Sequence, residues 1–197
     1  MEFNILLFND FESLDIFGPI EVFGVNKNHI IKYYSVNGGA VVSRQGAKIY
    51  TEKIENANKN GILVLPGGMG TRKLVKDNNF LNILKDIGEK AEYCLSICTG
   101  SAVFAKAGLL DGKKATSNKM AFEWVKTMSD KTEWIEKARW VVCDKYYTSS
   151  GVSAGIDMAL GFISDIYGID NARKIAKSIE YVWNEDKDND EFVLNSK

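Results

Sequence analysis

The residue with the clearest chemical context is Cys98, which stands in the segment Ser96-Ile97-Cys98-Thr99-Gly100. An apolar run precedes this segment and a helical pattern follows it, so the cysteine falls at a strand-to-helix turn. Small residues two positions before and after a nucleophile are typical of a nucleophile elbow, because that turn leaves no room for larger side chains. The sequence therefore predicts that Cys98 is a nucleophile presented at the carboxyl edge of a parallel sheet.

The three cysteines, Cys94, Cys98 and Cys143, need not share one role. A helix that begins directly after Cys98 points its positive end at the sulfur, so we expect the pKa of this thiol to be lowered. The alternative for any cysteine is a buried thiol that packs as a small apolar side chain. We favour that alternative for Cys94, inside the predicted strand, and for Cys143, beside a turn without an elbow around it.

A glycine-rich segment, Pro66 to Arg72, follows another buried apolar run. Glycines let backbone N–H groups approach a ligand closely. The N–H groups around Gly67 and Gly68, with that of Thr99, are candidates for an oxyanion hole beside Cys98. A flexible strand-to-helix turn is the alternative, and the missing Gly-Lys-Ser/Thr ending excludes a phosphate-binding loop.

The chain has a single histidine, His29, which precedes the second predicted strand. It is therefore the only histidine that could serve as an acid–base partner for Cys98. Nothing in the spacing brings it to Cys98, and we interpret it as a surface or loop residue. The carboxylates Asp15 and Glu21 follow the first strand and therefore belong to the same sheet edge as Cys98. The alternatives are a helix cap for Asp15 and a solvated helix position for Glu21. No cluster has metal-ligand spacing, and we expect no metal or cofactor.

The elements that must position these residues alternate between strand and helix, which is the βαβ pattern of a mostly parallel sheet. Apolar runs predict strands at Asn4–Phe8, Ile30–Val36, Val41–Tyr50, Gly61–Leu65, Tyr93–Ile97, Trp140–Cys143 and Tyr146–Ser149. Helical spacing predicts helices at Ser13–Phe23, with Pro19 in the first turn, at Thr99–Ala107, before a C-cap at Gly108, and at Lys119–Met128. Three more helices are predicted to begin after N-caps at Asp77 or Asn78, at Ser153 and at Asp170.

Composition limits the remaining possibilities. The chain has 197 residues, which predicts one domain, and a formal net charge of −1, which gives no general attraction to nucleic acid or acidic membranes. No apolar run is long enough to span a bilayer, and the amino terminus does not resemble a signal peptide. An odd number of cysteines suits a reducing cytoplasm. The acidic stretch within residues 185–197 predicts a solvated tail or loop.

Four motifs in order resemble the ThiJ/PfpI superfamily, with the strongest similarity to its isocyanide (isonitrile) hydratase-like branch. They are LDIFGPIEVF from Leu14, LVLPGGMGTR from Leu63, SICTGSAVFAKAGLLDGKKAT from Ser96 and TSSGVSAGIDMAL from Thr148. The resemblance extends from Asn4 to about Tyr181. It implies a flavodoxin-like three-layer α/β sandwich with a mostly parallel central sheet, a small-molecule substrate and a homodimer.

The resemblance also implies roles for individual residues. Cys98 corresponds to the nucleophile, Asp15 to the acid that faces it, Thr99 to the residue after it, and Gly67 with Gly68 to the oxyanion region. One departure is Asn118, which occupies the position where many relatives have a histidine. A Cys-His amidase or protease mechanism is therefore disfavoured, and no DNA-binding helix-turn-helix follows the domain.

Three functions are consistent with these residues. The first is hydration of an isocyanide to an N-substituted formamide by a Cys98 thiolate and a carboxylate. The second is an amidase- or protease-like hydrolase, which needs a general base for the nucleophile and an acid for the leaving amine. The third is a redox sensor or a ligand-binding protein without catalysis, since an accessible thiolate oxidises readily.

Overall fold

A computed structural model describes residues 1–193 of the chain, and the central feature is an eight-stranded sheet in the order β3-β4-β2-β1-β5-β6-β10-β9. The strands are β1 Glu2–Leu6, β2 Ile30–Ser35, β3 Gly39–Val42, β4 Lys48–Lys53, β5 Ile62–Leu65, β6 Cys94–Ser96, β9 Trp140–Cys143 and β10 Tyr146–Ser149, with a separate two-stranded pair of β7 Lys114–Ala115 and β8 Glu133–Trp134. Only the β3–β4 and β9–β10 pairings within the large sheet are antiparallel. The mostly parallel sheet predicted from the sequence is confirmed.

Helices flank the sheet in two groups. They are α1 Leu14–Gly24, α2 Thr71–Leu74, α3 Asn78–Lys90, α4 Gly100–Lys106, α5 Phe122–Lys126, α6 Ala154–Tyr167 and α7 Ile169–Ser178. The first group packs α1 against α6 and α6 against α7, and the second packs α2, α3, α4 and α5 together. This is the three-layer α/β sandwich that the sequence predicts. Among residues 1–193, no helix has both the length and the apolar character needed to cross a membrane.

Aromatic side chains fill the space between the sheet and the α1–α6 layer. Phe3 on β1 stacks on Phe23 of α1 with ring centroids 4.2 Å apart, and Phe162 of α6 meets both edge-on. Tyr147 of β10 meets Phe162 at 5.1 Å. Edge-to-face and offset pairs of this kind contribute beyond their buried area. They fix α1 and α6, and hence Asp15 and the loop before α6, relative to the sheet.

Some local predictions are wrong at turns and caps. The predicted strand Val41–Tyr50 is a hairpin, because Gly46 (φ +87°) turns the chain and the Ser43 hydroxyl accepts a bond from the N–H of Ala47. The predicted cap at Asp77 is confirmed by its bond from the N–H of Phe80. Pro19 is the sixth residue of α1 and therefore lies beyond its first turn.

Of the other two predicted caps, Ser153 occupies the N-cap position of α6, whereas the N-cap of α7 is Gly168 and not Asp170. Ser153 precedes α6 without a side-chain capping bond, and Asp170 is the second residue of α7. Gly168, with φ +89°, occupies the capping position of α7 because an abrupt change of direction separates the two helices. The predicted helix at Lys119–Met128 is shorter than expected, with a 3₁₀ turn at Lys119–Ala121 followed by α5.

The acidic C-terminal segment is an irregular loop with mostly exposed side chains, as predicted, but it is anchored to β9. The backbone N–H groups of Arg139 and Trp140 donate to the carbonyl of Lys187 at 2.8 and 3.2 Å. Asp190 is only 2% exposed, and its N–H donates to the carbonyl of Lys137. Residues 194–197 of the predicted tail lie outside the described residues.

A buried arginine explains this anchoring. The Arg139 guanidinium donates from Nε to the Asp157 carboxylate at 2.6 Å, and its Nη1 lies 3.7 Å from Asp190. Burial raises the pKa of Asp157, and the Arg139 charge opposes that rise. The carbonyl of Arg139 also accepts the N–H of Ser150 at 2.8 Å, which connects this ion cluster to the loop after β10.

We predict that Arg139→Met destabilises the fold by about 3–5 kcal/mol, because it leaves two buried carboxylates without their cation. Urea unfolding followed by circular dichroism measures the change. The matched control is Arg173→Met, which removes an exposed pair with Glu185 and should change the unfolding midpoint little. Equal midpoint shifts in the two variants would contradict the importance of the buried cluster.

Candidate active site

The backbone of Cys98 adopts the strained turn that the elbow motif predicts. Its φ is +56°, a left-handed conformation that costs a non-glycine residue free energy unless its surroundings hold it. Here the N–H of Cys98 donates to the carbonyl of Ser150 at 3.2 Å. Its carbonyl accepts the hydroxyls of Ser117 at 2.8 Å and Ser101 at 3.0 Å. These three hydrogen bonds hold the elbow from three separate segments.

Two glycines allow the close packing around the elbow. A β-carbon at Gly67 would lie 2.6 Å from the backbone nitrogen of Thr99 and 2.9 Å from the β-carbon of Cys98. A β-carbon at Gly100 would lie 2.6 Å from the carbonyl oxygen of Leu65. Atoms at these distances overlap, so only glycine fits at both positions. The loop after β5 is therefore pressed directly against the elbow.

The Cys98 thiol is buried, and its predicted low pKa is wrong. Desolvation raises the pKa of this thiol strongly, and the negative charge of Asp15 raises it further. The N–H groups of Thr99 and Val152 and the Thr99 hydroxyl favour the thiolate, but they offset only part of the effect. The sequence-based expectation assumed an exposed sulfur at a helix terminus. Instead Cys98 is 6% exposed, and α4 spans only seven residues.

Asp15 lies beside this thiol and is completely buried. Its Oδ2 accepts the N–H of Gly67 at 2.8 Å, so its carboxylate does not cap α1. Its side chain and the Cys98 thiol influence each other's ionisation, and Oδ1 has no hydrogen-bond partner among residues 1–193. Burial raises the pKa of Asp15 well above its ordinary value. Two buried acids so close together cannot both ionise cheaply, so each disfavours ionisation of the other.

The N–H groups of Gly67 and Gly68 already have acceptors within the protein. Gly67 donates to Asp15, and Gly68 donates to the hydroxyl of Thr99 at 3.1 Å. Neither is therefore a free oxyanion donor in this conformation, contrary to the expectation for this pair. They orient Asp15 and Thr99 instead. The N–H groups of Thr99 and Val152 lie close enough to the sulfur to favour its thiolate form.

The remaining candidate residues from the sequence are Glu21, His29 and Asn118. Glu21 is exposed on α1. His29 precedes β2, whose amino end lies at the opposite sheet edge, and its ring bonds the Phe23 carbonyl and the Tyr167 hydroxyl. Asn118 uses Oδ1 to accept the N–H of Ala121.

A cavity of about 420 Å³ adjoins the elbow on the side of Asn118. It is lined by the loop after β10, the start of the helical segment before α5, and the C-terminal loop, that is by Asn118–Met120, Ser150–Ser153 and Glu191–Val193. Ser150 and Val152 contact both this space and Cys98. A small ligand in this cavity would therefore lie next to the reactive edge of the sheet.

Val152 is the site residue that the sequence reasoning missed. It has φ +46°, which is unusual for a β-branched residue. The N–H of this residue favours the thiolate form of Cys98. The topology of the sheet could have indicated this residue. Because β10 pairs in parallel with β6, the loop after Ser149 lies at the same sheet edge as the elbow.

The site and fold define a class of α/β proteins with a cysteine at a nucleophile elbow and an acid beside it. Residues 2–165 match the model of the DJ-1/PfpI family, and the chain belongs to that family. It is 29% identical over 182 residues to an isonitrile hydratase of Pseudomonas putida, covering 92% of this chain and 78% of that protein. It is 25% identical over 164 residues to a deglycase of Pyrococcus horikoshii, covering 79% of this chain and 93% of the relative.

A solved structure agrees with this assignment. The crystal structure of a ThiJ/PfpI family protein from Pseudomonas syringae superposes with a TM-score of 0.81 at 28% sequence identity. The superposition covers 93% of this chain and 76% of the other. The family resemblance recognised from the four sequence motifs is confirmed.

We predict that alkylation of Cys98 by iodoacetamide is slow at pH 7 and rises with pH through pH 9. A raised pKa leaves the thiol protonated over this range, so the thiolate fraction grows about tenfold per pH unit. Asp15→Asn should accelerate the reaction, because it removes a negative charge that disfavours the thiolate. Glu21→Gln is the control, since it removes an exposed carboxylate from the same helix.

Mass spectrometry of the Cys98 peptide gives these rates. A rate that reaches a plateau below pH 8.5 would show a lowered pKa and would contradict the effect of burial.

Proposed function

We propose that this protein is a cysteine-dependent isonitrile hydratase, which converts a small isocyanide into an N-substituted formamide. The observation that carries the proposal is the buried Asp15 carboxylate, which the N–H of Gly67 holds beside the elbow and whose charge acts on the Cys98 thiol, with the single histidine at the other edge of the sheet. Hydration of an isocyanide needs a nucleophile and one group that moves protons. It needs no histidine, and the similarity to the Pseudomonas putida isonitrile hydratase supports the same choice.

In the first step the Cys98 sulfur attacks the terminal carbon of the isocyanide. The proton shared by the thiol and Asp15 moves to that carbon, which therefore gains both a carbon–sulfur and a carbon–hydrogen bond. The product is a thioimidate attached to Cys98, and Asp15 is left as a carboxylate. The N–H groups of Thr99 and Val152 stabilise negative charge on the sulfur as the thiol loses its proton.

In the second step water attacks the thioimidate carbon. The Asp15 carboxylate takes a proton from this water and passes it to the nitrogen of the substrate. As the carbonyl forms and the carbon–sulfur bond breaks, the second proton of the water returns to the Cys98–Asp15 pair, and the N-substituted formamide leaves. The sum is one isocyanide and one water in, and one formamide out.

The alternative functions have less support from the site. Hydrolysis of an amide requires an acid for the leaving amine in addition to the base, and Asn118 offers no titratable group there. Oxidation of a sensor cysteine requires an exposed thiolate, whereas burial raises the pKa of Cys98. A deglycase-type reaction, named for the Pyrococcus horikoshii relative, shares the nucleophile and is the second function to assay.

We predict that purified protein converts an alkyl isocyanide to its formamide, and that Asp15→Asn lowers turnover by roughly 10²-fold or more. The amide retains an acceptor for the N–H of Gly67, so the fold should be nearly unchanged, but it cannot exchange protons. Formamide is measured by chromatography, and unfolding curves check the fold.

Two controls make the test specific. Cys98→Ser should abolish turnover, and Glu21→Gln should leave it unchanged because that carboxylate is exposed on α1. Full activity of Asp15→Asn would rule out its role in proton transfer. No formamide from any of several isocyanides would reject the proposed function.

We further predict a homodimer, which the family resemblance implies and which closed two-fold symmetry commonly produces in soluble proteins. Light scattering at micromolar concentration should give twice the mass of one chain, which is 22.0 kDa. A particle with the mass of a single chain would refute this expectation.

A further inference from the structure

An uncompensated cation lies beside the elbow. Arg72 is the second residue of α2, directly after the glycine-rich loop, and its neighbour Thr71 donates a hydroxyl hydrogen bond to Thr99 at 3.1 Å. The Arg72 guanidinium is half-buried, and its Nη1 is inaccessible to solvent without a hydrogen-bond partner among residues 1–193. A buried donor without an acceptor costs free energy, and the cost is larger for a charged group.

No salt bridge joins Arg72 to a carboxylate among residues 1–193. Burial lowers the pKa of the Arg72 guanidinium, and a negative charge on Cys98 opposes that change. The next residue, Lys73, differs in this respect, because it is exposed and lies 3.5 Å from Asp10. Arg72 therefore carries a charge without a carboxylate partner beside the elbow, whereas the charge of Lys73 is paired.

Trp124 holds this guanidinium in place. The central carbon of the Arg72 guanidinium lies 3.1 Å from the ring centroid, so the cation is supported on one aromatic face. Stacking fixes the plane of the guanidinium but satisfies none of its N–H donors. Trp124 follows Met120 by four residues in the same helical segment, and Met120 lines the cavity beside the elbow.

We propose that Arg72, supported by Trp124, is a binding site for a carboxylate or similar small anionic group on the molecule that reacts with Cys98. The guanidinium fork matches a carboxylate in charge and shape. Given the proposed function, on which this assignment of a substrate class rests, the substrate is an isocyanide with an anionic substituent. Arg72 binds that substituent and leaves the isocyanide carbon to Cys98.

The first test needs no catalysis. Iodoacetate and iodoacetamide alkylate thiols through the same displacement of iodide, and they differ in one charged group. We expect the ratio of the iodoacetate rate to the iodoacetamide rate to be roughly tenfold higher at Cys98 than at Cys143, the scale of one hydrogen bond to a charged group. Arg72→Gln should reduce the Cys98 ratio to that of Cys143, and Lys73→Gln should leave it unchanged.

This ratio separates binding of an anion from a structural role of Arg72. Loss of packing against Trp124 would alter the reaction with both reagents, so the ratio between them would stay the same. A wild-type ratio at Cys98 no higher than at Cys143 would overturn the proposal without any variant. An equal loss in Arg72→Gln and Lys73→Gln would also overturn it, since it would reflect general surface charge.

The second test uses substrates. Isocyanoacetate and its methyl ester differ only in the anionic group, and we expect the acid to have at least a tenfold higher kcat/KM, mainly through KM. Arg72→Gln should remove this preference, and Lys73→Gln, which alters an exposed residue, should retain it. Equal kcat/KM values for the two wild-type reactions would overturn the anion site. Turnover of neither compound would count against the hydratase function, and the alkylation ratio would still decide the role of Arg72.

Discussion

The hydrogen bond from the N–H of Gly67 to the carboxylate of Asp15 is the contact on which the site depends. It joins the segments that follow β1 and β5, which are neighbouring parallel strands. Because Gly67 has no side chain, the same loop also lies against Thr99 and Cys98 after β6, the next strand in the sheet. A single backbone group therefore sets the distance between the acid and the sulfur. The aromatic packing of α1 against β1 and α6 holds the helix that carries Asp15 in place.

The burial of Asp15 and Cys98 determines how readily each of them ionises. The loop excludes water from both Asp15 and Cys98, so each acid becomes harder to ionise. A buried, protonated thiol is a poor nucleophile and oxidises less readily than an exposed thiolate. In the proposed reaction, Cys98 therefore attacks the bound isocyanide as its proton is transferred to the substrate.

The sequence predicted those features that depend on local pattern. The buried run before Pro66 and the segment Ser96–Gly100 identify two parallel strands and the elbow, because apolar periodicity and small residues report backbone conformation directly. The pKa of Cys98 could not be predicted in this way, since it depends on water exclusion by loops distant in sequence. The same holds for the N–H of Val152 and for Gly67, whose hydrogen-bond acceptor was visible only in three dimensions. The hairpin at Ser43–Ala47 was missed because one glycine decides between a turn and a continuous strand.

The buried cluster around Arg139 has a consequence for synthesis of the chain. The strand that carries the elbow, β6, and the acid on α1 are made early, within the first hundred residues. Ser150, whose carbonyl holds the N–H of Cys98, bonds to Arg139, and Arg139 is neutralised in part by Asp190. During translation, which proceeds from the amino terminus, the elbow therefore lacks one of its supports until the residues around Asp190 have been made. A nascent chain that stalls before Asp190 carries Cys98 without all of the contacts that hold its backbone in the folded protein.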